Sequence, residues 1–300
     1  MKAIGYHSSR QFYLILHKEV KMGVDTRLSE IAQIQGVIDR SKQNIFLDDG
    51  VNAHRALLNQ ILGSGAGTAN SLTFREEITE VTDDMYDSIS DGSFDLAHTG
   101  IHYTAPSGRT YWFGHADYNY GMGSTAQDRH TMLVIEDDIT ITSAHHSTNT
   151  TEGGAVASDI YTTVLPAHQG ELEADFGAEH IIPQDIYLTN AVTNGVVSGG
   201  AWASLYSSIL TEKQIFGNDI RYTDGASYYL NFLARERQLA LFANMPETIV
   251  AHEAGTTNRK TYWTDTVEGA SCFGGAYYTG PADYNFASFV FGVRRAFFIG

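Results

Sequence analysis

Histidine is the residue type best placed to do chemistry in this sequence, because the chain has twelve histidines and a single cysteine. His98 and His102 lie four apart in a stretch that favours strand or loop, and His145 and His146 are adjacent, so neither pair is required to share a face. Neither spacing is a zinc signature. We therefore predict structural histidines and no metal. The alternative is a transition-metal site assembled from His98, His115, His130 or His145.

Adjacent acids are the second candidate, because two carboxylates held across a cleft can hydrolyse a glycosidic bond. They occur at Asp48–Asp49, Glu76–Glu77, Asp83–Asp84 and Asp137–Asp138. Acids that are neighbours in sequence more often form a solvated face or a turn. Cys272 lies in GASCFGG, and a lone cysteine among aromatic residues is more often a small core residue than a nucleophile. We predict no catalytic residue and no cofactor.

Aromatic residues give the strongest binding signal, in the stretch YWTDTVEGASCFGGAYYTGPADYNFASF over residues 262–289. Tyrosine and tryptophan on ordered loops present rigid faces that bind partners at low entropy cost, and such rings also stack on sugars. Adjacent residues of a strand point to opposite faces, so Tyr277 or Tyr278 must face outward if the segment is extended. The alternative is that several of these rings fill a core. The predicted recognition surface consists of Trp263, Tyr277, Tyr278, Tyr284, Asn285 and Phe286.

The elements that position these side chains are predicted to be mainly strands. Hydrophobic residues make up 43% of the chain and aromatic residues 12%, with 29 glycines and 5 prolines, a mixture that suits twisted β-structure with ordered loops. Turn sequences such as DGSF and PSGR separate short β-like runs. The candidate strands are 100–103, 110–113, 131–135, 139–142, 260–263, 273–278 and 289–299, and the candidate helices are 155–165, 168–177 and 203–215. The fold class is therefore α+β.

The first 62 residues are predicted to be a helical arm that anchors or oligomerises the protein. Apolar residues recur in a short heptad-like pattern at Val24, Leu28, Ile31 and Ile38. Two to three heptads form only a marginal coiled coil, so a helix packed on its own domain is the alternative. A linker is predicted over 63–84, beginning with GSGAGTANS. A β-rich middle region follows over 85–180, and then a C-terminal region over 181–300, although 85–300 could be one unit.

The charge of −16 is distributed unevenly. Residues 1–42 carry seven Lys and Arg against four Asp and Glu, whereas residues 43–300 carry twelve against thirty-one. An acidic body argues against nucleic-acid binding, which needs a basic face. With one cysteine no internal disulfide can form, and we find no signal peptide and no apolar run long enough to span a membrane. We predict a protein that folds in a cytoplasm.

The last fourteen residues, ASFVFGVRRAFFIG, are too apolar for an exposed tail. If these residues form a strand, one of its faces is more apolar than the other and is expected to point to the core. Arg295 is the exception on that face and needs an acidic partner or an edge position. The face consists of Phe289, Phe291, Val293, Arg295, Phe297 and Ile299. We predict that this strand closes the fold, so that removing four residues unfolds the domain.

Several segments together resemble a family of tailed-phage virion proteins with a C-type-lectin-like C-terminal domain. They are HHSTNTTEGGAVASDIYTTVLP (145–166), AVTNGVVSGGAWASLYSSILTEKQIFGNDI (191–220), RQLALF (237–242), the YW of TYWTDTV (261–267) and AS…GVRRAFFIG (287–300). The resemblance covers about residues 85–300. The sequence departs from the family at Arg295, where proline is usual, and at YWTD, where a WLR-type run is frequent.

The resemblance implies a C-type-lectin-like domain over 181–300, closed by the last strand, with loops between the YW and GVR segments that contact hosts or partners. It also implies a virion surface protein, made in the host cytoplasm and displayed on the particle exterior as a head fibre, decoration protein or tail adhesin. The fold is similar to that of formylglycine-generating enzymes, but the cysteine constellation of those enzymes is absent.

The expected partners are other virion proteins through the arm, further copies of the chain in a homo-oligomer (a trimer favoured), and a host-surface glycan or protein. Nucleic acid and membrane insertion are not expected. The alternative function is a virion-associated hydrolase of surface polysaccharide that uses Asp137, Asp138 and His145. An assembly scaffold or chaperone is a third reading.

Overall fold

A computed structural model describes residues 69–70, 75–124, 127–188, 192–193, 196–197, 201–218 and 237–300. The predicted arm over 1–62 lies outside these residues and stays a prediction. The described body is mixed α and β with β-sheet predominating, as predicted, and Ser64–Gly300 cluster into one compact unit. No helix in the described ranges is long and apolar enough to cross a membrane.

Eighteen strands and five α-helices are assigned within the described residues. The strands are β1 (Glu76–Ile78), β2 (Ile101–Thr104), β3 (Thr110–Ala116), β4 (Met132–Glu136), β5 (Ile141–Ser143), β6 (Ile181–Ile182), β7 (Gln184–Leu188), β8 (Val192–Thr193), β9 (Val196–Val197), β10 (Ala201–Leu205), β11 (Ser207–Ile209), β12 (Ala251–His252), β13 (Arg259–Lys260), β14 (Tyr262–Val267), β15 (Cys272–Ala276), β16 (Ala282–Phe286), β17 (Phe291–Val293) and β18 (Arg295–Ile299). The α-helices are α1 (Asp83–Ser90), α2 (Leu165–Ala167), α3 (Gln169–Phe176), α4 (Glu212–Phe216) and α5 (Ala240–Asn244). Short 3₁₀ helices cover Ala155–Ala157 and Pro246–Ile249, and a π-helical turn covers Ile160–Val164.

The last strand, β18, lies in the interior of the larger sheet. That sheet has the order β1–β2–β3–β4–β18–β11, with β6 also paired to β18. On one edge β18 pairs antiparallel with β4, and on the other it pairs with β11 and then β6. The chain therefore ends in a strand that is hydrogen-bonded on both edges.

The smaller sheet has the order β16–β15–β14–β17–β5 and shares two runs of chain with the larger one. One run passes from β4 to β5 and the other from β17 to β18, and these two runs are antiparallel partners in both sheets. Between the pairs Val293↔Ile141 and Ala296↔Ile135, one run has the two residues 294–295 and the other the five residues 136–140. Both runs thus pass from one sheet to the other side by side, through segments of unequal length. We call this place the crossing, and it joins the two sheets.

Both faces of β18 are buried, which corrects the expectation that only one face would point to a core. Ala296 and Phe298 belong to a cluster that includes side chains from both sheets. Phe297 and Ile299 belong to a second cluster, which contains residues of α1 and α3. Fully buried strands carry apolar residues on both faces, so their sequence reads as a continuous apolar run.

The structure confirms some local predictions and overturns others. PSGR forms the turn of the β2–β3 hairpin, with Gly108 at φ +85°, a conformation that favours glycine. The helix predicted over 203–215 is wrong for most of its length, because β10 and β11 occupy 201–209 and only α4 is helical.

The predicted segment boundaries also differ from the structure. The segment expected to be a linker over 63–84 contains β1 and the first two residues of α1. The larger sheet takes strands from both the predicted middle region and the predicted C-terminal region, since β4 pairs with β18. The division at residue 180 and the alternative of one unit over 85–300 both stay predictions.

Glu136 holds both arginines at the crossing. Its backbone oxygen accepts from Arg294 Nε at 2.7 Å, and its carboxylate accepts from Arg295 Nε at 2.9 Å and Nη2 at 2.5 Å. Arg294 and Arg295 are both 0% exposed and Glu136 is 1% exposed. Burial alone would lower the pKa of Arg295, but the hydrogen bonds to Glu136 raise it, so the guanidinium stays charged. The acidic partner predicted for Arg295 is Glu136.

Both arginines make further contacts, on opposite sides of the strand. Arg295 also donates to the backbone oxygen of His168 and to Glu171. Arg294 donates to the backbone oxygen of Thr248 at 2.8 Å and lies over the ring of Tyr262. Buried charges are tolerated only when paired and hydrogen-bonded in this way.

Replacing Arg295 alone is therefore expected to be costly. Arg295→Met should lower the free energy of unfolding by about 3–5 kcal/mol, because Glu136 is left as an uncompensated buried charge. The double variant Arg295→Met/Glu136→Met should recover most of that loss, because it removes both charges. Urea unfolding followed by circular dichroism measures both values.

The matched control is Lys260→Met, which breaks the partly exposed Lys260–Glu253 pair and should change stability little. If Arg295→Met costs no more than Lys260→Met, or if the double variant is less stable than the single one, the importance assigned to this pair is wrong.

Candidate recognition surface

The β15–β16 hairpin carries most of the residues predicted for recognition. Its strands pair antiparallel over five positions, from Cys272↔Phe286 to Ala276↔Ala282. The connecting turn closes with Tyr277 N donating to the oxygen of Pro281 at 2.9 Å, and Gly280 adopts φ +107°. A side chain at that φ would be strained, so the glycine allows the tight return of the chain.

Two consecutive glycines fix the hairpin closely against β14. A Cβ at Gly275 would lie 2.9 Å from the backbone oxygen of Tyr262, and one at Gly274 would lie 2.7 Å from Thr264 Oγ1. Both distances are shorter than real Cβ contacts, so only glycine permits this approach. The rigid base holds the aromatic side chains of the turn and of β16 at the surface.

Tyr277 and Tyr278 form the tip of the hairpin, which we call the tyrosine tip. Their side chains are 37% and 43% exposed, and their ring centroids are 4.3 Å apart. The pKa of Tyr277 is raised, chiefly through its hydrogen bond with the Tyr278 hydroxyl. Tyr278 N donates to Thr261 Oγ1. The prediction required one outward-facing tyrosine, and the turn exposes both.

Strand β16 continues the aromatic surface. Tyr284 and Phe286 are two residues apart on one face and are 48% and 46% exposed. Asn285 is half-buried on the other face, where its Nδ2 donates to Asp283. The structure thus brings Tyr284 and Phe286 to one exposed face and directs Asn285 away from it.

Phe289 and Val290 extend this surface and were not predicted as site residues. Phe286 and Phe289 have ring centroids 5.8 Å apart, and Phe289 and Val290 are 45% and 63% exposed. The sequence places them in a run that reads as one strand from 289 to 299. In the structure the strand begins at Phe291, and a turn closed by Phe289 N and the oxygen of Phe286 precedes it. The polar Ser288 was the available signal for that turn.

Trp263 does not belong to the surface, and its inclusion in the predicted site is corrected. It is 0% exposed, and its indole Nε1 donates to the backbone oxygen of Ser143 at 2.9 Å. Its ring contacts His145 and Phe291, with centroids 5.0 and 4.7 Å away. Trp263 lies in the core of the smaller sheet, where it supports the surface but is not exposed to contact a binding partner.

Two of the candidate metal histidines are neutral core residues. His145 is completely buried, stacks on Phe273 and bonds through Nε2 to the oxygen of Thr264. Burial lowers the pKa of His145 to about 3, and burial together with the charge of Arg237 lowers that of His115 to about 3. Within the described residues, no group of three or more His, Cys, Asp or Glu side chains could hold a metal ion.

The acids of the alternative hydrolase belong to a network around His102. Burial would raise the pKa of Asp137, but the hydrogen bond from His102 and the charge of Arg294 lower it. Burial and the neighbouring charge of Asp137 raise the pKa of Asp138. His145, the third member proposed for that reaction, is enclosed in the core and presents no nitrogen to solvent.

Comparison with known proteins adds no relative: no family model, no curated protein and no solved structure matches this chain.

Because Trp263 is buried and Tyr278 is exposed, replacing each of them with alanine should change the stability of the protein by different amounts. Trp263→Ala should lower the free energy of unfolding by about 3–5 kcal/mol, because it leaves a cavity in the core. Tyr278→Ala should change it no more than an ordinary surface substitution does. Urea unfolding of the two variants measures this difference, and equal losses would contradict the placement of Trp263.

Proposed function

We propose that this protein is a structural protein of a tailed-phage virion, displayed on the particle exterior, that binds the host surface through the aromatic face of the β15–β16 hairpin. The observation that carries the proposal is the exposure of four large aromatic residues on one rigid hairpin. They are Tyr277, Tyr278, Tyr284 and Phe286. Exposed aromatic patches mark interaction sites, because isolated soluble proteins seldom leave such groups together in water.

The chemistry of the surface favours a host glycan or protein as ligand. Tyrosine rings offer an apolar face for the faces of sugar rings or for apolar side chains, and their hydroxyls offer hydrogen bonds. Both the tyrosine tip and β16 lie on paired strands or a closed turn, so little ordering entropy is lost on binding. The acidic composition of residues 43–300 is unfavourable for nucleic acid.

The proposal includes a C-type-lectin-like fold for the C-terminal part of the chain. It is supported by the sequence resemblance and by the interior position of the last strand, which closes the larger sheet. The segment between β14 and β17 forms the exposed hairpin, in the place where that family presents its contact loops. Strands before residue 137 also belong to the larger sheet, so such a fold would be elaborated by the preceding region.

The first 62 residues are proposed to anchor the protein to other virion proteins and to form a homotrimer. The heptad-like pattern and the excess of basic residues in 1–42 support this part of the proposal. A head fibre, a decoration protein and a tail adhesin all fit it. The protein is proposed to act by binding and without a catalytic step.

Adsorption of particles to host cells tests the proposal. Purified wild-type protein should compete with particles for host cells, and the double variant Tyr277→Ala/Tyr278→Ala should compete at least about tenfold less well, because two anchor residues are lost. The matched control is Tyr206→Ala, which removes a tyrosine that is 54% exposed elsewhere on the body.

Equal competition by the wild type and the tyrosine-tip variant would show that the tip is not a binding surface. Release of sugars from host polysaccharide by the wild type, lost in Asp137→Ala or Asp138→Ala, would instead favour the hydrolase. Particles that lack the protein entirely but adsorb normally would leave it the role of passive decoration and reject host binding.

A further inference from the structure

Strand β1 is attached to the body by a short ladder and by side-chain contacts on both of its faces. It pairs in parallel with β2 over three positions, and Glu77 lies directly opposite His102. As the outermost strand of the larger sheet, it has sheet hydrogen bonds to β2 alone among the described strands. Three residues of parallel pairing make a weak attachment, so the side chains have a large share in holding it.

His102 bridges β1 to the end of β4 through both of its ring nitrogens. Nδ1 lies 2.6 Å from Glu77 Oε2, and Nε2 lies 3.0 Å from Asp137 Oδ2. An ionised carboxylate can only accept hydrogen bonds, so each nitrogen must carry a proton to satisfy both partners. The neutral ring has one proton and can satisfy only one of them.

The opposite face of β1 repeats this geometry. His98 Nδ1 lies 2.9 Å from the backbone oxygen of Thr99, and its Nε2 lies 3.2 Å from Glu76 Oε2. Both of these oxygens are hydrogen-bond acceptors. Consecutive glutamates of β1 are thus bound by histidines on its two faces.

The arrangement differs from that of the core histidines. His115 Nδ1 accepts a hydrogen bond from Ala240 N, which requires a nitrogen without a proton. His115 is therefore neutral, whereas His102 needs the charged form to donate to both of its carboxylate partners.

The charges that face His102 favour its protonated form. Glu77 and Arg75 come from β1 and the residue before it, and Asp137 and Asp138 follow β4. Arg294 lies 3.9 Å from Asp137 and opposes part of that negative charge, as does His252, which faces Asp138. From β3 only the uncharged Trp112 packs on the ring, at 4.3 Å.

We propose that Glu77, His102 and Asp137 form a proton-dependent latch that holds β1 on the sheet, and that loss of the His102 proton releases this strand. Release uncovers the edge of β2, whose backbone donors and acceptors another strand can then pair with. The latch is thus a switch for access to this edge, and it is independent of the aromatic surface.

The direction of the pH dependence follows from the histidine. Burial disfavours the charge, but the hydrogen bonds to Asp137 and Glu77 outweigh it and raise the pKa of His102 above its usual value. A raised pKa in the folded state means that the latch is complete below about pH 6.5 and is lost as the pH rises through the folded-state pKa.

Hydrogen exchange of the full-length protein tests the latch. After correction for intrinsic exchange, amides of residues 75–80 should lose protection between about pH 6 and about pH 9. The loss should be about tenfold for each unit by which the pKa of His102 is raised. An NMR titration of the His102 ring should have the same midpoint. In His102→Gln these amides should be weakly protected at every pH.

The matched control is His130→Gln, which removes a histidine paired with Asp117 away from β1 and should leave the β1 profile unchanged. Glu77→Gln, at a largely exposed position, provides a second latch variant and should also lower protection at the acidic end. The proposal is overturned if protection of the wild-type amides does not change with pH. It is also overturned if the His102→Gln protein still loses protection as the pH rises.

Discussion

The fold depends on the position of Glu136, where one residue binds two adjacent buried arginines. Its backbone holds Arg294 and its carboxylate holds Arg295, at the point where the final segment leaves the smaller sheet and enters the larger one. A buried guanidinium without a partner would be very costly, so pairing with Glu136 favours this register of the crossing. Because β17 and β18 belong to different sheets, fixing the crossing fixes both sheets together.

The sequence reveals the need for this interaction but not the partner. Apolar alternation predicts a buried terminal strand, and an arginine within it requires an acid. Glu136 is 159 residues away, and residues 43–300 hold thirty-one acids, so nothing local distinguishes it. Several strands and the β2–β3 turn follow from local patterns, whereas burial of both faces of β18 depends on what packs against the sheet, and that is a tertiary property.

The recognition surface shows the same limit. Alternation along an extended segment required either Tyr277 or Tyr278 to face outward, and the turn in the structure exposes both. Trp263 could not be excluded, because aromatic composition does not tell which face of a sheet is covered. The two glycines that follow Phe273 were the available sign that β14 and β15 approach closely, and hence that the neighbouring tryptophan is enclosed. The aromatic surface is connected to the strand that enters the crossing, since Phe289 of the surface packs on Phe291 of β17 with ring centroids 6.3 Å apart.

Strand β18 is an interior element of the larger sheet, and both sheets depend on it. Native-state hydrogen exchange of the amides in β18, measured across a series of urea concentrations below the unfolding transition, tests it most directly. We expect these amides to exchange only through global unfolding, with the same free energy and the same urea dependence as amides of β4. Exchange of β18 through a local opening of much lower free energy, with β4 still protected, would contradict it.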